Sequence, residues 1–301
     1  MTKPYIVQKI STFVSATTDS LGWTPAIWNT ITQAVKNESQ RNKIAQKIVP
    51  TIPLTGASNA TDDVINQDDN ILTIPEGIST TFIETSVQFT LTKTQVQQEQ
   101  QLSTAITLAR RAANLISIAQ DMIIFQGIDA LQGRLGGLVT IARRNNWPGL
   151  LATDPARQDP IRVQRLSKQP GQQGPRYGEN IFGAVTRGIA DLQARVHYGP
   201  YALVLPTAIY ADTYAPINDI IYADRIKPLV ERGFFGTSAL PDTLGILLSL
   251  GGDTMDLPVA DDATPEFLSV NNQGGYNFRL FERFNFRLKI ADAVRLLRFN
   301  Q

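Results

Sequence analysis

Few residues in this sequence could carry out catalysis, and their spacing does not match an established catalytic arrangement. His197 is the single histidine of the chain and could serve as a general base. No G-x-S-x-G segment accompanies it, and the chain contains no cysteine, which excludes thiol nucleophiles, disulfides and cysteine-based metal sites. We therefore interpret His197 as a histidine at the end of a helix, and we predict that the protein is not an enzyme.

Groups of aspartates could bind a cation, because carboxylate oxygens are the ligands that Ca²⁺ prefers. The groups are Asp62-Asp63 with Asp68-Asp69, and Asp253 and Asp256 with Asp261 and Asp262. Neither has the ligand spacing of a known calcium loop such as D-x-[DN]-x-[DN]-G with a closing Glu, so we predict no metal site. Gly251-Gly252 matches neither G-x-G-x-x-G nor G-x-x-x-x-G-K-[ST], and we predict no cofactor.

The composition limits the possible partners. Charged residues make up 18% of the chain and the formal net charge is +1, whereas soluble domains are typically about 25% charged. The near-neutral charge argues against general nucleic-acid binding. The weakly charged exterior indicates either surfaces covered by partners or a merely neutral, polar protein. No apolar run of about 18 residues and no apolar signal core occur, so we expect no membrane span and a cytoplasmic location.

The segment of residues 143–176 is rich in proline and contains seven basic residues against two acidic ones. Such a basic excess could contact an anion or a nucleic acid. Aromatic residues for base stacking are scarce here, so we favour a solvated surface loop.

Hydrophobic periodicity predicts a helix that begins at Thr24-Pro25, because threonine is a good N-cap and proline suits the first helical position. Its apolar stripe comprises Trp28, Ile31 and Val35 and continues less regularly through Ile44, Ile48 and Val49. This amphipathic helix either covers its own core or docks onto a partner. Residues 51–100 then form an excursion that is too long for an ordinary connection, with a strand around Val87–Leu91. The longest helix is predicted from about Leu102 to Gln126, where Gly127 ends it.

The second half of the chain predicts alternating helices and strands. Strands are expected at 201–205 and 245–250, and a helix is expected to run to Arg232. The closing run alternates apolar Phe284, Phe286, Leu288 and Ile290 with polar Asn285, Arg287 and Lys289. This period of two predicts a strand with one buried and one solvated face. The largely apolar residues 293–299 indicate a C-terminus tied into the core.

Several segments, taken in order, resemble encapsulins, the bacterial shell proteins with the fold of tailed-phage capsids of the HK97 type. They are Thr24-Pro-Ala-Ile-Trp28-Asn-Thr-Ile31, Ala109-Arg-Arg-Ala-Ala113, Asp121-Met-Ile-Ile-Phe125-Gln-Gly127, Gly136-Gly137-Leu138, Gly199-Pro-Tyr-Ala-Leu-Val204, Ser249-Leu-Gly-Gly-Asp253 and Arg279-Leu-Phe-Glu-Arg-Phe-Asn-Phe-Arg287. The resemblance covers about residues 22–140 and 178–300.

The resemblance implies an α+β protein with the HK97-type major capsid fold. Residues 1–50 would form an N-terminal arm and amphipathic helix, and residues 51–100 an extended loop that clasps neighbouring subunits. Residues 101–142 and 271–301 would form the peripheral domain with a long spine helix. Residues 143–177 would be an inserted surface loop, and residues 178–270 the axial domain. The arm and the insertion exceed the family's usual length.

The resemblance also implies two sites. A hydrophobic groove for a cargo peptide would be lined by Trp28, Ile31, Val35, Ile44, Ile48, Val49, Leu296 and Phe299. A pore would be lined by Pro216, Asn218 and Asp219. The family's flavin-associated tryptophan has no counterpart in Thr92-Lys-Thr-Gln-Val-Gln-Gln, so flavin is not carried over.

The function implied is a self-assembling subunit of an icosahedral nanocompartment. Such a shell encloses a cargo enzyme, a ferritin-like protein or a peroxidase, and admits small molecules or ions through pores. The partners would be further copies of the chain and a cargo protein with a short targeting peptide. The alternative is a viral or prophage major capsid protein that packages DNA, against which the near-neutral charge argues.

Overall fold

The computed structural model describes residues 21–61, 64–68, 71–75, 77–153, 159–167, 176–216 and 219–300. The expected N-terminal arm, residues 1–20, lies outside them. The helices are α1 (Pro25–Asn42), α2 (Ile44–Ile48), α3 (Lys93–Gln97), α4 (Glu99–Leu102), α5 (Thr104–Gln126), α6 (Glu179–Ala194), α7 (Thr207–Asp212) and α8 (Tyr222–Ile226). Among the described residues, none of these helices combines the length and hydrophobicity that crossing a bilayer requires.

The strands form two main sheets and two short ladders. They are β1 (Thr51–Pro53), β2 (Asn59–Thr61), β3 (Asn66–Asp68), β4 (Ile71–Thr73), β5 (Ser79–Thr81), β6 (Ile83–Leu91), β7 (Thr140–Arg143), β8 (Ile161–Val163), β9 (Tyr201–Pro206), β10 (Gly233–Thr237), β11 (Leu244–Ser249), β12 (Met255–Val270), β13 (Tyr276–Phe284), β14 (Arg287–Leu288) and β15 (Val294–Phe299). The mixture of helices and strands confirms the predicted α+β class.

Helix α1 begins where the sequence predicts. The Thr24 side chain accepts a hydrogen bond from the backbone N–H of Ile27, and Pro25 occupies the first turn. The apolar face of α1 packs along α5. Just before the helix, the indole N–H of Trp23 donates to the carbonyl of Val96 at 2.8 Å, and its ring stacks on Phe278. This end of the chain is therefore fixed by both a cap and a tertiary contact.

Helix α5, called the spine helix below, is the longest helix among the described residues, at about 35 Å. The preceding α3 and α4 separate it from β6, and the chain turns into it at Ser103, whose φ is 51°. The carboxylate of Glu99 caps its first turn by accepting from the backbone N–H groups of Ala105 and Ile106 at 2.8 and 3.1 Å. It ends at Gly127, as predicted. A Cβ at Gly127 would lie 2.4 Å from the carbonyl oxygen of Pro148, so only glycine fits there.

The six-stranded sheet has the order β1-β12-β13-β6-β7, with β14 paired to β12. The five-stranded sheet has the order β10-β9-β11-β15-β8. These pairings connect segments that the resemblance assigns to different domains. Strand β12, assigned to the axial domain from the sequence, pairs with β13 of the six-stranded sheet. Strand β15, assigned to the peripheral domain, pairs with β11 and β8 of the other sheet. Sheet pairing joins residues that are distant in sequence, so domains assigned as continuous residue ranges do not coincide with the two sheets.

The closing segment differs from its predicted alternation. The regular strand β13 ends at Phe284, and the following pairing is limited to β14. The polar residues expected to face solvent are buried: Asn285, Arg287 and Lys289 are 1%, 7% and 8% exposed. Arg287 and Lys289 pair with aspartates inside the protein, and the amide oxygen of Asn285 accepts a hydrogen bond from Asn145. Polarity here therefore does not indicate a solvated face. The final strand β15 is tied into the core, as expected.

Two further expectations need correction. The helix expected to run to Arg232 is only the short α8 followed by a 3-10 turn at Lys227–Leu229. The segment of residues 143–177 is not wholly a surface loop. Leu150 and Val163 are fully buried, and β8 extends the five-stranded sheet. Residues 154–158 and 168–175 of this segment lie outside the described residues.

Candidate functional site

The excursion after α2 is an extended hairpin, comprising residues 51–91. Strand β1 leaves the body of the protein beside β12, and β6 returns to it beside β13. Between them, β2 pairs with β5 and β3 pairs with β4 in two antiparallel ladders. The lower part is attached to the body, because the backbone N–H of Ile65 donates to the carbonyl of Lys289 at 3.0 Å. The β3–β4 ladder extends beyond that attachment.

The outer part of the hairpin exposes several large apolar side chains. They are Val64, Ile71, Leu72, Ile74 and Ile78, with exposed fractions of 38%, 63%, 70%, 53% and 49%. Ile71 and Leu72 are neighbours in β4, so they point to opposite faces of the strand, and both faces are open. Residues 59–81 also contain five acidic residues and no basic residue. An apolar, acidic projection of this kind is typical of a surface that binds a partner.

The side chains expected to line the cargo groove do not form one open groove in the folded chain. Six of them are at most 2% exposed, namely Ile31, Val35, Ile48, Val49, Leu296 and Phe299. Only Trp28 and Ile44 are half-buried and retain accessible surface. Trp28 packs edge-on against Trp23 at a ring-centroid distance of 5.4 Å. The apolar stripe of α1 and α2 therefore covers the protein's own core.

The two C-terminal members of that set are separated by the sheet itself. Leu296 belongs to the large core beneath the spine helix, whereas Phe299 belongs to the second core on the other side of the five-stranded sheet. Side chains three residues apart in a strand point to opposite faces. The three-residue spacing of Leu296 and Phe299 in the sequence therefore already indicated that they do not line the same groove.

The expected pore residues lie in the connection between α7 and α8. Pro216 and Asp219 are exposed, and Asn218 lies outside the described residues. The base of the connection is closed by a hydrogen bond from the backbone N–H of Ala223 to the carbonyl of Thr213 at 2.9 Å. Asp219 adopts a φ of 64°, a left-handed conformation that aspartate tolerates better than most residues. The described part of the connection is thus closed at its base and exposed at Pro216 and Asp219.

The structure also contains a buried ionic cluster that the sequence did not indicate. Lys43, between α1 and α2, places its Nζ 2.6 Å from Oε2 of Glu282 and 3.0 Å from Oδ1 of Asp262. Burial lowers the pKa of Lys43, but the neighbouring charges of Glu282 and Asp262 outweigh it and hold the pKa above its ordinary value. The cluster ties the helical layer to β13, and it makes Lys43 a charged residue in the core.

Asp121 of the spine helix completes this region. Its carboxylate oxygens accept from the backbone N–H groups of Ile44 and Ala45 at 3.0 and 2.9 Å. Burial raises the pKa of Asp121 to about 7, although the two backbone hydrogen bonds oppose the shift. Asp121 therefore holds the start of α2 against the spine helix.

A second ionic group lies below the hairpin. Arg287 binds both carboxylate oxygens of Asp256, at 2.6 and 2.7 Å, and donates to the carbonyl of Thr61 in β2 at 3.0 Å. Lys289 lies 3.0 Å from both Asp253 and Asp256. Two of the aspartates considered as cation ligands are thus occupied by basic side chains. Across the described ranges, no group of three or more His, Asp or Glu side chains is arranged to hold a metal.

His197 lies just beyond the end of α6. Its Nε2 is 2.8 Å from Oδ1 of Asp292, and its backbone N–H donates to the carbonyl of Leu192 at 2.9 Å. The first contact joins the end of α6 to the segment before β15, and the second closes the last turn of α6 itself. This arrangement agrees with the interpretation of His197 as a helix-end residue.

This arrangement of sheets, spine helix and extended hairpin is the HK97-type capsid fold. The chain is similar to the virus-like particle from Pyrococcus furiosus, with a TM-score of 0.62 and 13% identity over 90% of this chain and 98% of that chain. It is also similar to a chain of Mycobacterium phage Ogopogo, with a TM-score of 0.57 and 11% identity over 86% and 92% of the two chains. The capsid of Myoviridae phage XM1 is similar with a TM-score of 0.52 and 14% identity, over 86% of this chain and 92% of that chain. At these identities the likeness shows the fold alone.

Sequence comparison identifies the kind of shell protein that the chain resembles. The family model Linocin_M18, described as encapsulating protein for peroxidase, matches residues 163–285. The type 1 encapsulin shell protein EncA of Myxococcus xanthus (strain DK1622) is 27% identical over 115 residues, which are 38% of this chain and 40% of that protein. The match thus spans less than half of the length of this curated relative. The predicted resemblance to encapsulin shell proteins is confirmed.

Proposed function

We propose that the protein is a self-assembling, non-enzymatic subunit of an icosahedral encapsulin shell. The observation that carries this proposal is the extended hairpin, whose tip exposes Ile71 and Leu72 on both faces of one strand. Such side chains gain about 25 cal/mol per Å² when they leave water. A monomer has nothing to cover them, whereas a neighbouring subunit in a closed shell does. The resemblance to encapsulin shell proteins supports the same conclusion.

Function then follows from enclosure. The shell would hold a cargo enzyme, a ferritin-like protein or a peroxidase, in the cytoplasm, and the description of the matched family supports a peroxidase in particular. Cargo would dock through a short peptide beside Trp28 and Ile44, the two members of the expected groove with accessible surface. The exposed turn with Pro216 and Asp219 would border a pore for ions and small molecules.

Electron microscopy of the purified protein, together with analytical ultracentrifugation, tests shell formation. We expect hollow, closed particles of uniform diameter and a single fast-sedimenting species. A small discrete monomer or dimer at all protein concentrations would contradict the proposal. Co-expression with candidate cargo and digestion with protease then tests enclosure, because enclosed cargo is protected until the shell is opened.

A major capsid protein of a virus or prophage is the second candidate. The fold supports it, since phage capsids are among the similar structures. The net charge of +1 and the sequence match to an encapsulin favour the first proposal. Particles that contain nuclease-protected DNA of defined length would favour the capsid protein.

A further inference from the structure

The first turn of α2 is attached to the spine helix through one buried carboxylate. Asp121 accepts hydrogen bonds from the backbone N–H groups of Ile44 and Ala45 at 3.0 and 2.9 Å. These N–H groups have no partner in a preceding turn, because the backbone of Lys43, with φ −71° and ψ 104°, separates α2 from α1. We call this contact, formed by Asp121 with the two N–H groups, the α2 anchor.

The far end of α2 is held by contacts that do not involve Asp121. Nε of Arg232 donates to the carbonyl of Ile48 at 2.6 Å, and the backbone N–H of Val49 donates to the carbonyl of Ala45 at 2.8 Å. Ile48 and Val49 are at most 1% exposed. Loss of the α2 anchor would therefore free the first turn of α2, while the last turn stays packed in the core.

The charges around Asp121 come from the α1–α2 link and from the sheet. Lys43 favours the ionised form of Asp121, and Glu282 of β13 disfavours it. Lys43 is already paired with Glu282 at 2.6 Å and with Asp262 of β12 at 3.0 Å. Lys47 of α2 is exposed, and its Nζ donates to a carbonyl of α1. One buried basic side chain is therefore shared among three carboxylates.

Burial makes ionisation of the two inner carboxylates unfavourable. It raises the pKa of Asp121 to about 7, and it raises the pKa of Glu282 although Lys43 opposes the shift. An aspartate in water has a pKa of about 3.9. Release of the first turn of α2 admits water to Asp121, so the released form binds this proton more weakly. The proton's contribution to the anchored form is complete below about pH 4 and is lost as pH rises through 7.

We propose that ionisation of Asp121 releases the first turn of α2 from the spine helix, which makes this contact a pH-sensitive device within the subunit. The released turn includes Ile44, whose side chain is half-buried. Release therefore alters the surface beside which the proposed function places the cargo peptide. The α2 anchor itself lies within a single chain and does not depend on shell assembly.

Hydrogen exchange in the full-length protein tests this release without any substitution. Exchange of the Ile44 and Ala45 amides is measured from pH 5 to pH 8 and divided by the intrinsic rate at each pH. We expect their protection to fall by about 50-fold from pH 5 to pH 7 and to level off by pH 8. It should stay well below the protection of Ile116 in the buried part of the spine helix, because local release precedes unfolding.

Two variants assign the pH dependence to its group. Asp121→Asn cannot ionise and leaves one of the two N–H groups without a good acceptor. We expect it to lower the protection of Ile44 and Ala45 at pH 5 and to remove most of the change with pH. The matched control is Asp129→Asn, since the side chain of Asp129 is 97% exposed just beyond the spine helix. It should keep the pH dependence of the original protein.

Thiol labelling provides a second readout, because the chain contains no cysteine. Ala45→Cys places a thiol at a fully buried position in the first turn of α2, and Gln40→Cys places one at an exposed position of α1. The ratio of their labelling rates with a maleimide cancels the ionisation of the thiol at each pH. We expect the ratio to rise from pH 5 to pH 7, and to stay constant when Asp121→Asn is added.

The outcomes separate this proposal from shell formation. Protection of Ile44 and Ala45 that is constant from pH 5 to pH 7, or that equals the protection of Ile116 throughout, would overturn the release. A pH dependence that persists in Asp121→Asn would overturn the role of Asp121. Neither result affects the shell proposal, which microscopy and sedimentation test. If Asp121→Asn does not fold, the levelling of protection near pH 7 in the original protein still decides.

Discussion

Lys43 and Glu282 form an ion pair whose atoms Nζ and Oε2 are 2.6 Å apart, and both side chains are only 1% exposed. Lys43 follows α1 and Glu282 lies in β13, so the pair joins residues that are 239 positions apart in sequence. A buried pair of this kind adds little net stability when compared with apolar residues of similar volume. Removing only one of the two side chains is costly, because the remaining charge stays buried without a counter-charge.

The substitution Lys43→Met should therefore destabilise the protein by about 3–5 kcal/mol, because it leaves Glu282 charged and unpaired. The double variant Lys43→Met/Glu282→Leu should recover most of that loss. Lys36→Met, at an exposed position of α1, is the matched control and should change the unfolding free energy by less than about 0.5 kcal/mol. Denaturant unfolding of the dissociated subunit measures all three. Equal losses for the single and double variants would show that the pair is not coupled.

Asp121 should make stability depend on pH. Burial raises its pKa to about 7 in the fold, against about 3.9 in the unfolded chain. The folded state therefore binds more protons between these values, so its stabilising contribution is complete below about pH 4 and is lost as pH rises through 7. The full change is on the order of 4 kcal/mol.

The variant Asp121→Asn isolates this contribution. It cannot ionise, and it accepts only one of the two backbone hydrogen bonds at the start of α2, so its own loss should be about 1 kcal/mol. The difference in unfolding free energy between the original protein and the variant should shrink or reverse from pH 5 to pH 8. A constant difference over that range would show that Asp121 does not titrate there.

Local signals predicted the local structure well. Thr24-Pro25 specified the start of α1, and Gly127 specified the end of the spine helix, because both depend on neighbouring backbone groups. Burial of polar residues was not predictable in the same way. Arg287 alternates with apolar residues as a solvated side chain would, and its partner Asp256 is 31 positions away. Only the fold brings these charges together.

For the candidate site, too, the sequence predicted local features but not tertiary contacts. The sequence indicated a long excursion with a functional role, and the structure makes it a hairpin. In the sequence, the apolar stripe with Ile31 and Val35 was consistent with both a docking face and a core face. In the structure, it packs against the spine helix and is part of the core.

The hairpin should be required for assembly but not for folding of the subunit. Ile71→Glu/Leu72→Glu removes the exposed apolar surface and adds like charge to an already acidic segment. We expect particles to be lost, while the far-ultraviolet circular dichroism of the subunit is unchanged, because both side chains are open in the single chain. Asn37→Glu, an exposed change on α1, is the control and should leave particles intact. Particles formed normally by the hairpin variant would exclude the hairpin from the subunit contact.

Cargo binding beside α1 should depend on Trp28 but not on its neighbour Trp23. Trp28 is half-buried, whereas Trp23 is 8% exposed and stacks on Phe278. Trp28→Ala should reduce the yield of co-purifying cargo several-fold while shells persist. Trp23→Ala should lower the melting temperature of the particle more strongly and retain the cargo, because its ring has almost no surface to offer. Quantitative gel densitometry of cargo per shell subunit measures the first effect and calorimetry the second. Equal cargo loss in both variants would attribute the effect to a weakened core, and the contact site would then lie elsewhere.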